Sequence, residues 1–130
     1  MATRNASSVV LAVLAAEFLG CSYGPQGMSS DAYMAAKKAA IAIRTLNEHA
    51  LDSSLVYTPL LVEAERAVEE IGTAARREHD RNAFFQGKKC LAAIADERKE
   101  ASDPELQKLS ATVAANELEA LESLIRDREP

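Results

Sequence analysis

Two cysteines, two histidines and one run of basic residues hold most of the side-chain chemistry available to this 130-residue chain. Cys21 follows Gly20 at the end of the stretch Ser7 to Cys21, SSVVLAVLAAEFLGC, and Cys90 follows Lys88 and Lys89. A thiol attacks or ligates only as the thiolate, which nearby cations favour and apolar burial suppresses. Adjacent residues on a helix do not face each other, so Lys88 and Lys89 do little for Cys90, and a buried, unreactive thiol is expected there. His49 and His79 stand beside acids, in Glu48-His49 and Glu78-His79-Asp80, which could contribute to a metal site assembled across helices. Neither lies three residues after a glutamate, and no His-Glu-x-x-His or Cys-x-x-Cys occurs, so di-iron, zinc-protease and dithiol motifs are missing. Both histidines are read as solvated helix-end residues, His79 near the edge of an apolar stripe, and neither a metal nor a cofactor is expected.

The basic run is Arg76, Arg77, Arg81, Lys88 and Lys89, opposed between positions 76 and 89 only by Glu78 and Asp80. It is a candidate for binding phosphate, a lipid headgroup or an acidic partner. The plainer reading is a solvated helical face paired with Glu69, Glu70 and Glu78. No Gly-rich loop is present to cradle a phosphate, and no aromatic residue is read as interleaving with the cations to stack on bases. From Asp96 onward ten acidic residues face five basic ones, and the net charge of −5 argues against nucleic acid as the partner.

These residues must be positioned by helices. Alanine and leucine dominate, aromatic residues make up 5%, tryptophan is absent, and the residues that lose least on entering a helix outnumber the strand formers. A helix is expected from Ser30 or Asp31 to about Ala50, with Ala36, Ala40, Ile43 and Leu46 on one side. Thr58-Pro59 reads as an N-cap followed by a proline at the first helical position, with Tyr57 stapled against Leu61 and Val62. The stripe Leu61, Ala64, Val68, Ile71 and Ala75 follows, and Phe84, Gly87, Leu91 and Ile94 resume its spacing. Because one helix from Pro59 to about Arg98 would be long for a globular protein, a break is favoured near Arg76 to Asn82, with Asp80 or Asn82 capping the second piece. The last helix starts at Ser102-Asp103-Pro104-Glu105 and carries Leu106, Leu109, Val113, Leu118, Leu121 and Ile125 to about Asp127. Short connections favour antiparallel neighbours, so the fold class is all-α: an antiparallel up-and-down bundle of three to four helices, plus the N-terminal apolar segment.

Residues 1–20 decide the compartment. Met1 to Ser8 holds one charge, Arg4, and Val9 to Ala16 is a run of eight apolar residues, too short to span a bilayer but the length of a signal-peptide core. Residues 21–30 are rich in Gly, Pro and Ser, a composition suited to a tether, and 31–130 form the helical domain. The order charged, apolar, small residue, cysteine resembles the signal of bacterial lipoproteins, with Gly20 and Cys21 matching closely and Phe18 and Leu19 loosely. The resemblance implies that Cys21 takes a diacylglyceryl thioether, carries fatty acyl chains such as palmitate, and becomes the mature N-terminus. Glu17, a charge just before this box, departs from the pattern, as does Phe18 where leucine is commonest. An exported but unlipidated chain could instead join Cys21 to Cys90 in a disulfide.

In layout the chain resembles small helical bacterial lipoproteins, including a Tyr/Pro/Leu-Leu helix start at Tyr57 to Leu61. The expectation is a non-enzymatic helical envelope lipoprotein, with the membrane as partner through Cys21, acting by contact with an unknown protein or the membrane surface. The alternative is a cytosolic four-helix interaction module in which residues 8–20 form a core helix, capped by Ser7 or Ser8 and ended by Gly20 or Gly24.

Overall fold

A computed structural model describes residues 27–127, and among them the chain forms four α-helices and no strand. They are α1 (Ser30–Glu48), α2 (Ser54–Ala74), α3 (Glu78–Lys99) and α4 (Pro104–Asp127). The N-terminal apolar segment and Cys21 lie outside the described residues.

Each boundary has a local cause. Ser29, in extended conformation, precedes α1, and its carbonyl accepts the Tyr33 amide at 2.8 Å. Asp103 caps α4, its Oδ1 accepting the amides of Glu105 at 3.1 Å and Leu106 at 3.2 Å, with Pro104 in the first turn where its missing N–H costs nothing. The break between α2 and α3 falls at residues 75–77, and Asp80 sits inside α3 as its third residue rather than in front of it. The start of α2 differs more. It begins at Ser54, so Tyr57 and Pro59 are inside the helix and Thr58 is not its cap. Pro59 deprives the Leu55 carbonyl of its helical donor, at a residue that is 89% exposed. Starting early carries the Tyr57 ring into the protein, where it is buried beneath Arg98.

The helices pack as antiparallel neighbours. Gly72 meets Phe84 and Val68 meets Gly87 across α2 and α3, while Gln86 bonds Glu117 and Gln107 bonds Glu97 across α3 and α4. Packing is densest within the pairs α1/α2 and α3/α4. α1 touches α2, α3 and α4, whereas α2 and α4 do not meet. Small residues are buried on both α1 and α3: Ala32, Ala36, Ala39 and Ala40 on one, Ala83, Gly87, Cys90 and Ala93 on the other, with Gly87 turned to Val68 of α2. Larger side chains, Met28, Ile43, Leu46, Val68, Ile71, Ile94 and Leu121, fill the remaining space.

One expected stripe is divided. Leu118, Leu121 and Ile125 of α4 are buried together with Ala114, but Leu106, Leu109 and Val113 are exposed. The two apolar lines are offset by one residue, about 100° of helix rotation, so one face cannot hold both. With α2 out of reach of α4, nothing among the described residues covers the outer line.

Candidate functional site at the turn between α2 and α3

The basic run is divided by the fold. Arg76 and Arg77 occupy the turn, Arg81 lies in the first turn of α3, and Lys88 and Lys89 follow about two turns later. Arg81, Phe85 and Lys88, at spacings of four and three, share one side of α3, and Lys89 is rotated away from Lys88 by about 100°. All five cations are exposed. The structure therefore brings Arg76, Arg77 and Arg81 together and leaves Lys88 and Lys89 further along the helix.

Lys88 is already engaged: its Nζ lies 3.1 Å from Glu69 and 5.4 Å from the centre of the Phe84 ring. Arg77 donates from Nη1 to the Gly27 carbonyl at 3.1 Å. The sequence reading that no aromatic residue interleaves with these cations is corrected here. Phe84 and Phe85 stand between Arg81 and Lys88, their ring centres 5.4 Å apart. Phe84 folds against Gly72, where an added Cβ would fall 2.9 Å from its Cε1, and Phe85 turns outward with 57% of its surface exposed. The signal was the pair itself, since only one of two adjacent helical residues can face the core. Arg81, Phe84 and Phe85 line one wall of a shallow groove of about 390 Å³, with Glu69, Gly72 and Thr73 opposite.

Asp80 is the polar centre of this turn. It is fully buried, and its carboxylate accepts the backbone amides of Arg76 at 2.8 Å and Arg77 at 3.0 Å. It also accepts the amide and hydroxyl of Ser29, at 3.0 and 2.7 Å. Burial pushes this carboxyl up, but the amides of Arg76, Arg77 and Ser29 and the Ser29 hydroxyl outweigh it and hold the group below its ordinary value. Met28, one residue earlier, is 1% exposed. Residues 28 and 29, assigned from sequence to the 21–30 segment, are thus docked against the turn.

The remaining candidates are dispersed. Cys90 is buried, and burial together with the Glu117 carboxylate pushes its thiol up to about 12. His49 is at the end of α1, its Nδ1 2.6 Å from Asp52. His79 is half-buried beside Asp80 with its Nδ1 unpartnered. Among the described residues no three His, Cys, Asp or Glu side chains converge in a geometry that would hold a metal ion. No helix among them is long and apolar enough to cross a membrane.

Comparison of the chain with protein families, with curated proteins and with solved structures finds no match.

Proposed function

We propose that the protein is a non-enzymatic helical module of the bacterial cell envelope, held at the membrane through a lipidated Cys21 and acting by contact of its helix surfaces. The observation that carries this reading is that, among the described residues, α1 to α4 bury a shared core from Met28 to Ile125. Such a core needs no helix from residues 8–20, which leaves that stretch available as a removable signal. The docking of Gly27 to Ser29 on the turn between α2 and α3 supports it further, because a chain anchored at Cys21 would hand its tether directly to a firm attachment point.

The intact mass and N-terminus of the protein made in its native host test this. Loss of Met1 to Gly20 with an added lipid mass is the expected result, and Cys21→Ser should release the protein from the membrane fraction. A full-length soluble product would overturn the anchor.

The second reading, a cytosolic interaction module in which residues 8–20 pack as a further helix, draws on Glu17 and on exposed apolar residues. Met34 and Ile41, seven residues apart and so on one side of α1, are 62% and 69% exposed, a surface that an apolar helix or a partner would cover. The full-length product that would sink the first reading is what this one requires.

A further inference from the structure

We infer that the turn between α2 and α3, with the first two turns of α3, is the surface that rests on an anionic membrane, through Arg76, Arg77, Arg81 and the outward ring of Phe85. The inference rests on the proposed anchoring and adds the lipid class and the orientation. The first argument is where the chain enters the fold. Gly27 bonds Arg77 and Ser29 bonds Asp80, so the tether leaves from this turn and from no other part of the molecule. Cys21 lies six positions before Gly27, a reach of at most about 20 Å even when fully extended. A bundle anchored at Cys21 is thereby held with this turn close to the lipid surface.

The second argument is charge. Three exposed arginines gather at this turn; of the acids beside them, the Asp80 carboxylate is turned inward and shielded by its hydrogen bonds, while Glu78 and Asp31 are exposed. The other end of α3, about 30 Å away, is acidic: Glu48, Asp52, Glu100 and Asp103 are gathered where Arg98 ties α3 to the connection between α1 and α2. An anionic surface favours the exposed arginines of the first end over the acids of the second, so the field orients the molecule as the tether does. Phe85 adds an apolar group, more than half exposed, flanked by Arg81 and Lys88, which suits the boundary between headgroups and acyl chains.

The test uses the full chain carrying Cys21→Ser, so that no lipid contributes, and vesicles of phosphatidylcholine with or without phosphatidylglycerol. Binding should be at least about tenfold tighter with phosphatidylglycerol and should weaken as salt is added. Arg76→Gln with Arg81→Gln should lower binding to the anionic vesicles by about 25-fold, at roughly fivefold for each cation near the surface. Neither guanidinium makes a hydrogen bond or ion pair within the described fold, so an unchanged circular dichroism spectrum and melting temperature should accompany the loss. The chain lacks tryptophan, so Phe85→Trp and Glu100→Trp give clean reporters. Fluorescence should shift to the blue with anionic vesicles for Phe85→Trp and stay unchanged for Glu100→Trp. Equal binding to both vesicles, as expected if the cations serve an acidic protein instead, overturns the inference. So does full binding by the doubly substituted chain, or a blue shift at position 100. Failure of the anchor itself would show separately, as an unprocessed N-terminus without lipid in the native host.

Discussion

Asp80 and Ser29 are 51 residues apart in sequence and joined twice, the Asp80 carboxylate accepting both the amide and the hydroxyl of Ser29. The same carboxylate accepts the amides of Arg76 and Arg77, so one buried group closes the turn between α2 and α3 and fastens the start of α1 to it. Replacing it strands several buried donors at once. Asp80→Ala should cost about 2–4 kcal/mol in urea unfolding and Ser29→Ala about 1 kcal/mol. In a double-mutant cycle the two should be far from additive, because they share an interaction.

The same group sets an acid limit. The folded Asp80 carboxyl titrates below its ordinary value of 3.8, so in acid the unfolded chain binds the proton first. Its stabilising contribution is complete above about pH 4 and is lost as the pH falls through the lowered folded value. Urea midpoints measured from neutral pH into this range should fall more steeply for the wild type than for Asp80→Asn, which has no proton to gain.

Arg98 is the counterpart at the other end of α3. Its Nη1 donates to the carbonyls of Ala50 at 2.9 Å and Asp52 at 2.7 Å, and its guanidinium lies 4.0 Å from the centre of the Tyr57 ring. Arg98→Ala should cost about 1–3 kcal/mol, and Arg98→Lys should restore little, because a lysine offers neither the planar fork nor the stacking face. Hydrogen exchange should quicken first in residues 50–57. Burial raises the Tyr57 phenol and Arg98 opposes it, so spectrophotometric titration of Arg98→Ala should show that phenol moving higher still.

Cys90 provides a reporter of unfolding. With its thiol pushed up to about 12 and its side chain buried, it should react with a disulfide reagent at pH 8 only when the fold opens. Labelling should follow the unfolding free energy, and Asp80→Ala should accelerate it in proportion. Rapid labelling of native protein carrying Cys21→Ser would contradict the buried position.

Gly87 marks a close approach of α3 to α2. A Cβ there would fall 3.1 and 3.3 Å from the two methyl groups of Val68, itself fully buried and unable to turn aside. Gly87→Ala gains up to about 1 kcal/mol in helix propensity and loses about 1–3 kcal/mol to overpacking, so a small net loss is expected. Gly87→Val, without the propensity gain and with two further methyl groups, should lower the melting temperature sharply.

Helical class, the approximate spans of α1 and α4 and the existence of a break after α2 were legible because each rests on residues close in sequence. Ala36, Ala40, Ile43 and Leu46 repeat at helical spacing, and Asp103-Pro104 is a start signal that needs no distant partner. The early start of α2 was not legible. Pro59 is a good first helical residue on local grounds, and only the pocket made by Arg98, some 40 residues away, gives Tyr57 a reason to be inside the helix. The division of α4 was hidden for the same reason, since both Leu109 and Leu121 look like core until the neighbours of each are known.

The candidate site follows the same division. The sequence by itself determined that five cations lie between positions 76 and 89, that Phe84 and Phe85 are adjacent, and that one apolar stretch ends at Gly20-Cys21, all matters of residue type and spacing. Tertiary structure alone decided which cations stand together, which phenylalanine faces outward, and that the chain enters the fold at the basic turn. Those outcomes depend on contacts between segments tens of residues apart. Ser29 meets Asp80 only because α1 packs against α3 with their first turns at the same end of the bundle.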